Sequence, residues 1–276
     1  MPELPEVEFV ARQLREALVG RSIVAAHVYW PRAIAGIEPE DFVARIVGRR
    51  IIGVGRRAKY LLVTLDDRDV LIVHRRMSGN LVFAAPDEDY LYTRVELALD
   101  VGRRLLYTDP RKFGRLALVS EEQLPAFFAA LGPEPLADDF TPQVLAERLA
   151  GRQRPIKAVL MDQAVVAGLG NIYADEALFR AGIHPLRPAA SLTADEIARL
   201  HVGIQGALCT GIEHGGTTFG RHRDVYNEAG NNLEHVEVYR RTGQPCVRCG
   251  TPVGRIVVAQ RGTHFCPHCQ PAPKIL

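Results

Sequence analysis

Proline at position two, followed by Glu3 and Glu6, assembles the parts of a nitrogen nucleophile at the start of the chain. Pro2 is small enough that cytosolic processing normally removes an initiator methionine ahead of it, which leaves a secondary amine flanked by two carboxylates. An α-amino group titrates at about 7.7–8, so an appreciable share is unprotonated near neutrality and can attack electrophilic carbon. A secondary amine that condenses with an aldehyde gives an iminium that is cationic without having to be protonated. The same residues also suit a helix start. Pro2 and Pro5 stiffen a leader, and acidic groups in or before a first turn are favoured by the helix dipole by about 0.3–1 kcal/mol.

A second chemical constellation lies near the other end. Cys246-x2-Cys249-x16-Cys266-x2-Cys269 has the spacing of a tetrahedral four-cysteine zinc site. Paired disulfides are the alternative reading and do not suit a cytosolic chain. His264 or His268 could replace one cysteine. With four protein ligands no position is left open, so one zinc per chain would be structural, holding the turn between Arg255 and Arg261 rigid. Cys209, among apolar residues of a helical stretch, reads as a core thiol.

These groups need elements to carry them. Val7, Val10, Ala11, Leu14, Ala17 and Leu18 recur at helical spacing and Gly20 supplies a stop. From about Ser22 to Val119 the chain reads as short strands, clearest at 51–54, 60–63, 70–73, 95–99 and 116–119, which suggests an antiparallel sandwich. Residues 132–140 read as a linker. Beyond it the pattern turns helical: Thr141-Pro142 opens one helix, a second covers Ala174 to Ala181, and a third runs from Asp195 to about Glu213, ending at Gly215-Gly216. The expected organisation is α+β: a catalytic β-sandwich domain with a leading helix at 1–131, a helical domain at 141–235, a zinc-finger hairpin at 236–270 and a tail at 271–276. With 47% hydrophobic and 24% charged residues, and no run of roughly 20 apolar residues, the composition is that of a globular protein without a membrane partner. The acidic start does not resemble a secretory signal, so the expected location is cytoplasmic. The net charge of +2 is uninformative, but its distribution is not. Arg240, Arg241, Arg248, Arg255, Arg261 and Lys274 face only Glu237 after position 236, and Arg103, Arg104, Arg111, Lys112 and Arg115 form a second basic group. Such clusters suit a polyanion.

Taken in order, these pieces make the chain resemble the formamidopyrimidine-DNA glycosylases. The resemblance rests on Pro2-Glu3-Leu4-Pro5-Glu6-Val7-Glu8, Lys59, His74-Arg75-Arg76-Met77-Ser78-Gly79, Asp109-Pro110-Arg111-Lys112-Phe113-Gly114-Arg115, Gly168-Leu169-Gly170-Asn171-Ile172-Tyr173, and the four-cysteine finger with Gln260-Arg261-Gly262. It implies a monomeric bifunctional enzyme, a glycosylase that removes oxidised purines (8-oxoguanine and formamidopyrimidines) from double-stranded DNA and a lyase that cleaves the strand at the abasic site. Pro2 would attack the sugar C1′ and form a Schiff base, with Glu3 as general acid on the ring oxygen, and β,δ-elimination would follow. Lys59 and Arg261 join the catalytic set as phosphate ligands, and Glu6 orients the amine or the extruded nucleotide. His74, Lys157 and Tyr173 fall among the DNA-binding positions, Lys157 near the damaged base. Met77, Arg111 and Phe113 match residues inserted where the base has left, with Arg111 donating to the stranded cytosine. Gly168-Leu169-Gly170 fails the dinucleotide fingerprint because its third glycine falls on Tyr173. It reads instead as a turn into a helix at Asn171, whose amides and side chain suit a phosphate gripped together with Arg261. This is the helix–two-turn–helix element, with a partner helix entering near Thr193.

Two places depart from the family pattern. Arg75 stands where an apolar residue is usual and could add a phosphate contact. Residues 230–241 lack an aromatic-rich stretch, and Arg240 replaces a usual glycine. The loop from Thr217 to Tyr226 is where the family caps the extruded base. The related endonuclease-eight branch, which takes oxidised pyrimidines, is the alternative; Leu4-Pro5-Glu6-Val7 and the Arg111–Phe113 loop favour the purine branch. A catalytically silent DNA-binding zinc protein is a further one.

Overall fold

The computed structural model describes residues 1–218 and 223–272 and divides the chain into two compact units. Met1–Ala129 and His214–Asn231 form the first, and Ala130–Glu213 with Asn232–Leu276 the second. The boundary after position 131 is thus displaced by two residues. The larger difference is that His214–Asn231, expected in the helical domain, returns to the first unit. The expected finger domain likewise shares one unit with the helices.

The first unit opens with α1 (Leu4–Leu18), whose Leu4, Val7, Val10, Ala11, Leu14 and Leu18 are buried. Each fully buried aliphatic side chain contributes about 1.5–3 kcal/mol. In chain order there follow β1 (Ile23–Val28), β2 (Ile34–Ala35), α2 (Pro39–Ile46), β3 (Ile51–Arg57), β4 (Tyr60–Leu65) and β5 (Asp69–His74). Then come β6 (Asn80–Ala84), β7 (Thr93–Leu99), β8 (Arg104–Thr108), β9 (Arg115–Ser120) and the short α3 (Leu124–Phe127). They make a four-stranded sheet in the order β1-β7-β8-β6 and a five-stranded one in the order β2-β9-β5-β4-β3. Inward residues such as Val63, Leu71, Val73, Leu97, Leu105 and Leu116 join α1 in one core. All of β5 is buried, because Val70 and Ile72 on its outer face pack with Leu124 and Phe128.

Register then fixes which ends meet. Tyr60 pairs with His74 and His74 with Arg115, so the two-residue turn Ala58-Lys59 sits at the same sheet end as the segments following β5 and preceding β9. The strands absent from the sequence reading, β1, β2, β6 and β8, carry alanines or lead with Asn or Arg, which blur alternation.

In the second unit α4 (Pro142–Leu149) is capped by Thr141, whose hydroxyl accepts from Val144 N. A short α5 (Ile156–Leu160) precedes α6 (Asn171–Ala181), which packs on α7 (Ala194–Glu213). Thr193 and Glu196 form a reciprocal capping box at the start of α7, where the partner helix was expected. Cys209 is exposed on α7, so it is not the core thiol the apolar neighbours suggested. The finger is the hairpin of β10 (Gly254–Val258) and β11 (Arg261–Phe265), joined by Ala259 and Gln260 at φ 48° and 61°. A two-residue turn with both φ positive normally uses Asn-Gly, so this one is strained.

The finger draws on Phe179 of α6, with Val238, Cys246, Val253 and Cys266 in one small apolar cluster. All four finger cysteines lie with Sγ atoms within 4.8 Å of one another, at 3.5 Å for Cys249–Cys266 and 3.9 Å for Cys246–Cys269. A zinc–sulfur bond of about 2.3 Å gives a tetrahedron edge of about 3.8 Å, so the set fits one zinc ion. No disulfide forms. His264 is turned elsewhere, its ring Nδ1 3.2 Å from Asp175 Oδ2. The structural zinc is held by Cys246, Cys249, Cys266 and Cys269. Metal analysis should return one zinc per chain, and Cys266→Ser should release it and open residues 243–272 to protease while the strand unit stays folded. Metal-free protein with all four thiols titratable and an intact finger would overturn this assignment.

Candidate active site and nucleic-acid interface

α1 begins one residue after Glu3, and that placement folds the chain start back on itself. Glu6, at the third helical position, accepts the Glu3 N–H at 2.7 Å with one oxygen and the Thr217 N–H at 2.7 Å with the other. Gly216, at φ +77°, lies so close that a Cβ there would meet Glu6 Cγ at 2.7 Å; only glycine fits. Glu3, Glu6 and Lys59 are all buried. Burial pulls the pKa of the Met1 α-amine below its ordinary 8.0; Glu3 and Glu6 oppose this, while Lys59 and Arg75 add to it. Burial likewise lowers the Lys59 ammonium against the pull of Glu3 and Glu6. Lys59 is therefore not part of an open basic patch. It sits in the electrostatic field of the two carboxylates and the amine. Met1 is exposed and Pro2 is buried, and removal of Met1 transfers the α-amine to the Pro2 nitrogen.

His74 ends β5 beside this group. Its Nδ1 accepts from Arg76 N at 3.0 Å, and Tyr60 meets its ring edge-on at 4.4 Å. Burial, with Arg76 and Lys59 nearby, lowers its pKa to about 4. The ring is neutral at pH 7, and with Nδ1 accepting, the proton resides on Nε2.

Met77 and Phe113 stand 45% and 48% exposed, on two separate turns. Both turns converge on Asp109. Its Oδ1 accepts from Ser78 Oγ at 2.5 Å and Arg111 N at 3.1 Å, and its Oδ2 from Gly114 N at 2.8 Å and Tyr107 OH at 3.4 Å. Arg111 lies with its Cζ 4.6 Å from the Phe113 ring centroid. Exposed apolar and guanidinium groups are thus presented on a rigid base, an arrangement that can enter a base stack. Asp109 had no assigned role in the sequence reading, although Asp before Pro favours a turn and an Asp side chain commonly bonds backbone two residues on, as this one does with Arg111 N.

In the second unit the hairpin that carries Arg261 is built on a buried ion pair. Lys157 Nζ lies 2.7 Å from Asp175 Oδ1, both side chains 0% exposed, and donates to Thr263 Oγ1 at 2.7 Å and Gly262 O at 3.1 Å. Asp175 Oδ2 accepts from His264 N at 2.9 Å. Asn171 Nδ2 also donates to Gly262 O, at 3.1 Å, while Asn171 Oδ1 is buried without a partner. Lys157 is therefore enclosed and cannot touch a base. Tyr173 is buried too, with its OH accepting from Asn232 Nδ2 and its ring against Gly211. Neither residue forms the DNA surface expected of it. Gly168, Leu169 and Gly170 are buried as well, so the turn into α6 does not expose its amides as foreseen. Arg261 is exposed at the head of β11.

The basic clusters divide in the same way. Arg104 bonds Ala85 O and Glu88 O, Arg241 bonds Val236 O and Pro245 O, and Arg248 bonds Phe179 O, so these three brace backbone. Arg75 is buried, donating to Gly79 O, Asn80 Oδ1 and Arg223 O, and is no phosphate contact. Of the expected base-capping loop, residues 219–222 lie outside the described residues.

Comparison with known proteins bears on all three regions. Residues 1–116 match the formamidopyrimidine-DNA glycosylase N-terminal domain, 131–222 the H2TH domain of the same enzymes, and 243–272 the zinc finger found in FPG and IleRS. The formamidopyrimidine-DNA glycosylase of Chloroflexus aggregans is 55% identical over 98% of this chain and 98% of its own. That of Herpetosiphon aurantiacus is 54% identical over 98% and 100%. Among solved structures, a variant of the Lactococcus lactis enzyme complexed with DNA containing Fapy-dG superposes with a TM-score of 0.92 at 37% identity, covering 98% of this chain and 100% of that one. A complex with DNA containing carbocyclic 8-oxo-G gives 0.90 at 37% identity and the same coverage. With its sandwich, helical region and finger matched in order and over nearly their whole length, the chain belongs to the formamidopyrimidine-DNA glycosylase family.

Proposed function

We propose that this protein excises oxidised purines from duplex DNA through a Schiff base on Pro2 and cleaves the resulting abasic strand by β,δ-elimination. The observation that carries the reading is the enclosure of the chain-start amine with Glu3, Glu6 and Lys59, beside two exposed turns bearing Met77, Arg111 and Phe113. The relatives support the lesion class: the Lactococcus lactis enzyme has been solved with Fapy-dG and with abasic-site DNA. Full-length likeness to formamidopyrimidine-DNA glycosylases favours the purine branch over the endonuclease-eight branch.

The steps follow from the groups present. A neutral Pro2 nitrogen attacks C1′ and the bond from C1′ to the base breaks, the base leaving with the bonding pair and the proton that the nitrogen gives up. Glu3 delivers a proton to the ring oxygen, the bond from C1′ to that oxygen breaks, and the freed nitrogen lone pair forms the iminium. That iminium acidifies the C2′ hydrogen, and β-elimination expels the 3′ phosphate; a second elimination expels the 5′ one. Glu6, engaged by two backbone amides, orients the chain start. His74, neutral with its proton on Nε2, can donate to a phosphate, as can Lys59, Arg261 and Asn171. Zinc supplies no chemistry beyond fixing the finger hairpin.

Borohydride should trap the enzyme covalently on 8-oxoguanine or abasic DNA, with the adduct on the peptide that begins at Pro2, and protein retaining Met1 should trap nothing. Mapping the adduct to Lys59 would remove Pro2 as nucleophile. The Pro2 nitrogen lies one residue from the Met1 amine whose pKa burial lowers, and near the same Lys59, so the acid limb of the trapping rate should lie below that of an exposed N-terminal proline, because an amine whose pKa is lowered keeps its lone pair at lower pH. Lys59→Met deletes a charge that lowers that pKa, so the limb should move to higher pH; a limb that stays in place, or moves down, contradicts the electrostatics. Finally, Arg111→Ala should lower excision opposite cytosine far more than opposite adenine, since a good guanidinium–base pair is worth about 1–3 kcal/mol of discrimination. An unchanged cytosine-to-adenine ratio would exclude Arg111 as the reader of the opposite base.

A further inference from the structure

The turn that carries Met77 is closed twice by one residue. Gly79 N donates to Arg75 O at 2.9 Å, and Arg75 Nε donates back to Gly79 O at 3.0 Å. The other end of the guanidinium leaves the turn: Nη2 donates to Asn80 Oδ1 at 2.7 Å and to Arg223 O at 3.0 Å, across 148 residues of sequence. Arg223 N donates to the same Asn80 oxygen at 3.4 Å. The backbone just beyond Arg223 is itself anchored, since Gln13 of α1 bonds Asp224 at 2.7 Å and Phe83 N of β6 bonds Val225 O at 2.8 Å. Arg75 therefore spans from a wedge-bearing turn to a fixed frame.

The side chain is 2% exposed, and its burial lowers the guanidinium pKa to about 10. A buried guanidinium incurs a desolvation cost that an apolar residue would avoid, and replacing buried charges with apolar groups is often neutral for stability. What an apolar residue could not supply is direction: three fixed donor bonds that hold the Gly79 carbonyl relative to the Arg223 carbonyl. Ser78 pins the other flank of the turn to Asp109, leaving Met77 exposed between two anchors. Arg76, at φ 50°, shows that this backbone is held in a conformation that non-glycine residues rarely adopt.

We propose that Arg75 is a positioning residue for Met77: its guanidinium fixes the angle at which the wedge leaves its turn, and so sets how efficiently a damaged base is extruded. This rests on the wedge reading of Met77. It separates extrusion, which needs the wedge, from Schiff-base chemistry at Pro2, which does not.

The test is a double-mutant cycle of Arg75→Met and Met77→Ala in the full-length zinc-loaded enzyme. Extrusion is read by stopped-flow fluorescence of 2-aminopurine beside 8-oxoguanine, and chemistry by single-turnover excision and by borohydride trapping on abasic duplex. Arg75→Met should slow unstacking and 8-oxoguanine excision roughly tenfold, the worth of one charge-assisted hydrogen bond, while trapping on abasic duplex, read at a pH above the acid limb where the lost charge no longer bears on the amine, falls far less. The double variant should match Met77→Ala to within about twofold, because the second change removes what the first acts through. If Arg75→Met lacks a cooperative thermal transition, Arg75→Lys takes its place, keeping the charge and losing the planar fork. Losses that multiply in the double variant, or that are equal on lesion and abasic DNA, overturn the proposal while leaving the wedge intact. If Met77→Ala does not slow unstacking, the wedge reading fails and takes the proposal with it.

Discussion

One buried carboxylate organises the reactive end of this protein. Glu6 accepts one hydrogen bond from Glu3 N and one from Thr217 N, and so ties the chain start to a segment more than two hundred residues away. A hydrogen bond to a charged group contributes about 1.5–3 kcal/mol. Because Glu6 is on a rigid helix, the nitrogen that precedes Glu3 inherits that rigidity. Gly216 is the matching concession, since any side chain there would displace the carboxylate. The return of His214–Asn231 to the strand unit follows from the same contact and from the bonds of Gln13 to Asp224 and Val225.

Asp109 plays the corresponding part for the turns. Four donors from three places in the chain meet its two oxygens, so the residues between them can be exposed without being loose. Tyr107, whose pKa burial raises, is protonated at neutral pH and serves as one of those donors. An apolar wedge on a mobile loop would lose conformational entropy on entering DNA. On the proposed reading of Met77 and Phe113 as wedges, the bonds to Asp109 would complete much of that ordering on folding.

Much of this was readable from the residues. The leader, the cysteine spacing and the capped helices at Thr141 and Thr193 are local signals, and local signals survive folding. The four-cysteine geometry and the start of α6 at Asn171 followed them closely. What failed has a common cause: burial of a charged or polar side chain cannot be read from its type. Arg75, Lys157 and Tyr173 were read as DNA contacts and all are enclosed, because each has partners distant in sequence. Cys209 erred in the opposite direction, since its apolar neighbours on α7 face the core while it does not. The weaker strands β1, β6 and β8 were hidden because their pairing, not their composition, holds them in place.

Those buried polar groups share a purpose that the apolar core cannot serve. Lys157 and Asp175 lie together under Gly262, the residue that follows Arg261, and Asn171 reaches the same carbonyl from the start of α6. Hydrophobic contacts are nondirectional and would let a strained two-residue turn slide along its helices. Hydrogen bonds to one carbonyl from two elements permit a single register. The hairpin has only a small apolar cluster of its own, so its height is fixed by zinc at one end and by this ion pair at the other. Arg75 in the strand unit and Lys157 in the helical unit are thus the same physical solution: a cation taken out of water so that a backbone carbonyl next to a working side chain has one place to be.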